Sequence, residues 1–470
     1  MKSKNRFLSN FIQTFQSEFI LIIITLISGI IIARVLGPAG RGEYLAITIW
    51  GNLLMWYFHL NIYQTVIYYW HKMKNNREDL LKTLAVASLF LGVVATLVGE
   101  FIIIPYVMPS LDSQVLIAAR LFLLGIIPGI ISEVILGALA AEEKFSFTNM
   151  MRIINPTIST IFLIIIYYMG LLEVSSALYI LLGTNAIIAI ATFFIGYKNN
   201  YFSGNFHWEL MKTLWYGMKA QGGTVAGATS ANATQLVLSA MLPPAALGFY
   251  SASESSVKPL STISTALQRV SFPRLAGLSA DLTHQRTLRI WTNSFIANSI
   301  TALPFALLLP LLIPIVYGKE YIPSIIPAEI LIIYTFVRGQ SMIIRNSING
   351  YGKTFINTTT EIISTIFIFI TLSFTVKHWG VIGASVIAVL SSILKLILYL
   401  VEYNKHIHQL KLVYLIPSLA DFKAVIMAAF SIVRKECGNE EELIAKWKGK
   451  CLNDKSSFYP FGSSESRPDN

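Results

Sequence analysis

The side chains that could do chemistry in this chain are charges set inside apolar sequence. Glu254 and Lys258 stand four residues apart, Arg338 and Lys395 interrupt two apolar runs, and Arg120 and Glu100 sit near the ends of two neighbouring ones. An unpaired charge against lipid costs at least ~2.5–3.5 kcal/mol, so each such cation must pair, reach an interface or line a water-filled cavity. In a cavity, cations would hold an anionic ligand through short charge-assisted contacts. Lys258 and Arg338 are candidates for that role with Arg120, helped by the amides Asn232 and Gln235; Glu254 would restrain Lys258 when the site is empty. Each has a plainer reading: Lys258 pairing with Glu254 along one helix, Arg120 pairing with Glu100, Lys395 snorkelling to the inner surface.

Other chemistries lack their residues. The seven histidines are scattered, no Gly-Lys-Ser/Thr phosphate loop occurs, and the two cysteines, Cys437 and Cys451, both fall in the last 34 residues. No catalytic residue, metal site or cofactor is expected, and the chain does not read as an enzyme.

The elements that would position these charges are membrane spans. Of 470 residues, 54% are hydrophobic and 13% charged, with a mean hydropathy of +0.61; soluble domains carry about a quarter charged residues. Many apolar runs reach the ~20 residues needed to cross a hydrocarbon core as a helix. The pattern predicts an all-α polytopic membrane protein with about twelve spans, near 19–35, 44–69, 81–104, 115–141, 153–169, 177–197, 213–242, 247–270, 290–316, 324–346, 358–376 and 381–403. Span 4 should be interrupted at Pro128-Gly129, and Gly223, Gly227 and Ala231 on span 7 should let helices pack closely. Taking loops as alternating, 18 Lys/Arg precede the tail on one side and four on the other. By the positive-inside rule both termini are cytoplasmic, and nucleic acid is no partner.

The chain also repeats. Around Gly37, Pro38-Ala-Gly-Arg-Gly-Glu-Tyr44 returns as Pro244-Ala-Ala-Leu-Gly-Phe-Tyr250, so that Pro38 falls on Pro244 and Gly42 on Gly248 at an offset of 206. Lys144 with Phe147-Thr-Asn149 returns as Lys353 with Phe355-Ile-Asn357, the Phe-x-Asn pairs being 208 apart. This predicts two six-helix bundles, 1–200 and 201–405, related by the repeat. The turns holding Gly37, Pro38, Gly42, Pro244 and Gly248, flanked by Arg34 and Arg41, would be outer hinges or gate edges. Residues 406–436 read as a cytoplasmic surface segment and 437–470 as a disordered tail.

Ala33-Arg-Val-Leu-Gly-Pro-Ala-Gly-Arg-Gly-Glu-Tyr44, Leu247-Gly-Phe-Tyr-Ser-Ala252, Ser271-Phe-Pro-Arg-Leu-Ala276 and Ile315-Val-Tyr-Gly-Lys319 resemble the polysaccharide-flippase branch of the multidrug/oligosaccharidyl-lipid/polysaccharide (MOP) exporter superfamily. The resemblance implies two bundles around a central cavity. It also implies export, by alternating access across the inner membrane, of lipid-diphosphate-linked oligosaccharide for O-antigen, capsule or related surface polymers. Membrane lipid, a polysaccharide polymerase and glycosyltransferases would be its partners. Two other readings stay open: a cation-coupled multidrug antiporter of the same superfamily, and a non-transporting scaffold of a glycan assembly complex.

Overall fold

The protein is seen here as a computed structural model that describes residues 2–109, 111–275, 280–351, 353, 355–409, 415, 417 and 421. Residues 1–414 form one compact unit and 415–470 a second. The expected tail, 437–470, and all but a few positions of the expected surface segment, 406–436, lie outside the described residues, as does Ala276 at the end of the Ser271 motif.

The fold is all-α and polytopic: among the described residues, seven helical stretches are long and apolar enough to cross a membrane. The helices are α1 (Lys2–Phe58), α2 (Ile62–Trp70), α3 (Arg77–Val98), α4 (Ile104–Val107), α5 (Ser113–Leu124), α6 (Ile126–Ala141), α7 (Phe145–Tyr168) and α8 (Val174–Lys198). After a 3₁₀ turn at Trp208–Thr213 come α9 (Leu214–Met241), α10 (Pro244–Leu275), α11 (Ala280–Tyr317), α12 (Ile325–Gly350) and α13 (Phe355–His406). Two of these are pairs run together across a kink. In α1 the kink is Gly37, with φ +64°, and in α13 it is Gly380, with φ +53°. Only glycine enters that left-handed region without strain. Pro38 then opens the second leg of α1 and Pro244 opens α10, the first helical position, where a missing N–H is lost to nothing.

The helices differ from the sequence pattern at two places. Span 2 is broken at His59-Leu60-Asn61, where Leu60 and Asn61 take positive φ, although no proline or glycine marks the place. Span 4 breaks at Gly125, and Pro128 lies inside the first turn of α6, where its absent N–H had no helical partner to lose. Pro304, Pro310 and Pro314 are all accommodated within the continuous α11.

α6 packs on α3, α2 and α8, and α13 packs on α12 and α9. α1 runs against α7, α9 and α10. The second repeat shows in the backbone: Lys144 N–H reaches back to Leu139 O at 2.9 Å and Lys353 N–H to Ile348 O at 3.2 Å, the same five-residue closure before α7 and α13.

Candidate functional site

At the end of the molecule that carries Gly37, the two copies of the Pro/Gly motif lie on each other. A Cβ added to Gly42 would stand 1.7 Å from Pro244 O, and one added to Gly248 would stand 1.9 Å from Pro38 O. Each glycine is therefore needed to seat the other copy's proline, a reciprocal contact of the kind a two-fold axis produces. No Cβ fits in either place.

Arg41 and Arg34 bolt this contact. Arg41 is buried, at 4% exposure. It donates through Nη2 to Ser255 Oγ at 3.1 Å and to Ser251 O at 3.3 Å, and its guanidinium lies 5.0 Å from the Tyr317 ring centre and 5.9 Å from that of Tyr321. A guanidinium held over two aromatic faces away from water is in the strong range of cation–π attraction. Arg34 donates through Nε to Val316 O at 2.8 Å and through Nη2 to Ile315 O, while Tyr321 Oη donates to Ala33 O at 3.1 Å. Residues of α1 thus close this end against α10 and the α11–α12 connection.

A second seam runs along span 2 and α9. Trp50 Nε1 donates to Ser239 Oγ at 3.0 Å, Tyr57 and Thr229 hydroxyls meet at 2.6 Å, and Asn61 Nδ2 donates to Thr224 Oγ1 at 3.1 Å. Gln221 Nε2 takes the carbonyls freed by the span 2 break, Trp56 O at 2.7 Å and Tyr57 O at 3.1 Å. The polar face of α9 is spent on this seam and on two cavities, which is why α9 is weakly apolar for a span.

The first cavity, about 300 Å³, lies among α9, α10, α12 and α13. Its charged residues are Arg338, Arg345 and Lys395 with Glu254 and Glu361. Lys395 Nζ sits 2.7 Å from Glu361 Oε2 and donates to Ser230 Oγ at 2.7 Å, while Arg345 Nη1 lies 3.9 Å from Glu361 Oε1. Gln235 Nε2 donates to Glu254 Oε2, and Arg338 stands 5.8 Å from the Tyr334 ring centre. Three cations face two carboxylates, and Arg345 Nε and Tyr399 Oη are buried without a hydrogen-bond partner among the described residues. The arrangement suits an anion with several acceptor oxygens.

The second cavity, about 630 Å³, lies between span 2 and α9 and is lined by Asn52, Trp56, Gly223, Thr224, Gly227 and Asn232 with apolar neighbours. The expected close-packing role of Gly227 does not hold: a Cβ there would meet nothing within 4 Å. Its missing side chain leaves room for the cavities, not for a neighbouring helix. Gly223 alone keeps a close neighbour, Thr358 Oγ1 at 3.0 Å from an added Cβ.

Of the residues singled out in the sequence, the structure brings Arg338, Gln235 and Glu254 together in the first cavity and sets Asn232 in the second. Lys258 and Arg120 line neither cavity. Lys258 is exposed on α10, one turn past Glu254, and no ion pair joins the two among the described residues. Arg120 pairs with Glu100 at 2.9 Å, half exposed. Lys395, expected to snorkel, is held inward by Glu361. Arg345, Glu361 and Tyr399 were missed because they lie towards span ends, where charge and hydroxyl groups are commonplace. Their signal would have been helical register: Lys395 and Tyr399 are one turn apart on α13.

A family model described as "Polysaccharide biosynthesis protein" matches residues 12–326. The chain belongs to that family. A lipid II flippase MurJ in an inward closed conformation is similar over 93% of this chain and 96% of its own, with 13% identity and a TM-score of 0.67. An inward-facing multidrug resistance MATE family transporter is similar over 81% and 94%, with 14% identity and a TM-score of 0.64. A MOP superfamily transporter from Pyrococcus furiosus gives 84%, 93%, 13% and 0.57. No curated protein matched the chain. This family member therefore has the fold of the MOP superfamily transporters.

Proposed function

We propose that this family member is an alternating-access exporter of lipid-diphosphate-linked oligosaccharide, with twelve crossings in two repeated bundles and both termini cytoplasmic. The observation that carries the reading is the first cavity, where Arg338, Arg345 and Lys395 outnumber Glu254 and Glu361. A diphosphate supplies the acceptor oxygens and negative charge that such a cavity lacks. The head group would enter while its lipid tail stays in the bilayer, and the Gly42–Pro244 and Gly248–Pro38 contact would be the outer gate, closed in this conformation. Opening it would require Arg34 and Arg41 to leave Ile315–Tyr321.

A second reading, cation-coupled multidrug antiport, is favoured by the fold comparison, since similar solved structures include several MATE multidrug transporters. The cavity's charge separates the two: a cationic drug would need the acids to outnumber the bases. The test uses a strain lacking this chain, complemented with wild type or Arg338→Gln. Restored surface polymer with wild type and its loss with a well-expressed Arg338→Gln would support glycan export. Unchanged polymer in the deletion strain, with increased sensitivity to ethidium reversed by wild type, would replace this reading with antiport.

A further inference from the structure

The second cavity carries a chemistry of its own. Neither a carboxylate nor a cation lines it, so it is suited to neither a cationic drug nor a phosphate. It offers instead one large aromatic face and several neutral hydrogen-bonding groups. Trp56 is 47% exposed, and it lines the cavity together with Asn52, one turn earlier, and the small residues of α9. Its ring meets His59 edge-on at 5.3 Å, which leaves a face uncovered. Gly227, opposite, has no side chain to fill the slot.

The polar groups are poised in both senses. The Asn52 amide and Trp56 Nε1 have no hydrogen-bond partner among the described residues, and an amide offers both donors and acceptor. Asn232 spends Nδ2 on Ala228 O at 2.9 Å, leaving Oδ1 to accept. A pyranose ring presents a face of C–H groups and a rim of hydroxyls that both donate and accept. An aromatic plate with amides around it matches that ring on both counts. At about 630 Å³ the space lies within the range of small-ligand sites.

We propose that this cavity is a neutral-sugar subsite, in which a glycan ring stacks on Trp56 and its hydroxyls bond Asn52 and Asn232. The first cavity holds the charged end of the same ligand, and Gly227, which lines both cavities, is the passage between them. This rests on the glycan-export reading and extends it: the cargo is recognised in two parts, with charge and sugar on separate walls.

The test is saturation-transfer NMR on the purified full chain in a detergent without a sugar headgroup, with maltotetraose as the probe. Wild type should transfer saturation to ring C–H protons. Trp56→Ala should weaken binding about tenfold or more, the equivalent of about 1.4 kcal/mol, while Trp56→Phe, which keeps a plate, should stay within about threefold. Gly227→Leu should abolish the signal while remaining folded, since leucine is a better helix former than glycine and the added atoms enter open space. Gly183→Ala, where a Cβ also meets nothing within 4 Å, is the control and should bind as wild type. Absence of sugar contact in wild type, or equal contact in wild type and Trp56→Ala, overturns the proposal. Surface polymer in the complemented deletion strain tells the two readings apart. Normal polymer with both wild type and Trp56→Ala removes the sugar subsite but leaves glycan export standing; no polymer with wild type removes export, and the subsite with it.

Discussion

Substituting Gly42 with alanine adds one methyl group and should hold the closed end open. The new Cβ would lie 1.7 Å from Pro244 O, whereas real Cβ contacts under 3.0 Å essentially do not occur. The atom in the way is backbone, so α1 and α10 must part by about 1.3 Å at that point. A displacement of that size along the Arg41–Ser255 bond, now 3.1 Å, takes it beyond hydrogen-bonding range. Loss of a charged hydrogen bond is worth about 1.5–3 kcal/mol, and weakening the stack on Tyr317 and Tyr321 adds up to about 2 kcal/mol. Rehydration of the freed guanidinium returns part of this, leaving a net shift of about 2 kcal/mol, or about 30-fold towards the open state. The assay places a cysteine at Ala231, which lines the first cavity, after Cys437→Ser and Cys451→Ser. An impermeant maleimide applied outside intact cells should label Ala231→Cys at least about tenfold faster in the Gly42→Ala background than in the Gly183→Ala background. Equal labelling in the two, at equal abundance, would refute the gate.

Further outcomes follow from the same contacts. Glu361→Gln should destabilise the purified protein by about 3–5 kcal/mol because Lys395 is left inward without its carboxylate, and Lys395→Met with Glu361→Gln should recover most of that loss; a double variant no more stable than the single, in thermal unfolding, would show that the pair is not coupled. Lys258→Met should keep near-normal abundance and surface polymer, since Lys258 is exposed and lines neither cavity; loss of polymer at normal abundance would restore it as a ligand contact. Arg41→Lys should speed external labelling of Ala231→Cys, because an ammonium cannot span Ser251, Ser255 and two rings as a guanidinium does; unchanged labelling would make Arg41 a brace and not a latch. Green fluorescent protein fused after Asn200 or after Lys405 should fluoresce, and alkaline phosphatase at the same positions should be inactive; the reverse pattern would invert the topology.

Membrane class, helix positions and the repeated turn could be read from the sequence, because each is a local property. Hydropathy over ~20 residues reports a span whatever surrounds it, and Gly37, Pro38 and Pro244 mark turns through their own backbone limits. Arg34, Arg41, Gly42 and Gly248 could be picked out as special, and their duplication hinted at equivalent places. That Gly42 receives Pro244 while Gly248 receives Pro38 was decided only by the packing of α1 on α10, since no local pattern says which copy meets which. The break at His59–Asn61 was hidden for the same reason: it persists because Gln221, from α9, satisfies the carbonyls it frees. The direction of each mid-membrane charge was the least legible feature. Lys258 and Lys395 look alike in sequence, each an ammonium that interrupts an apolar run. In the fold Lys395 meets Glu361 while Lys258 stays exposed, because the rotation of each helix is set by every neighbour at once.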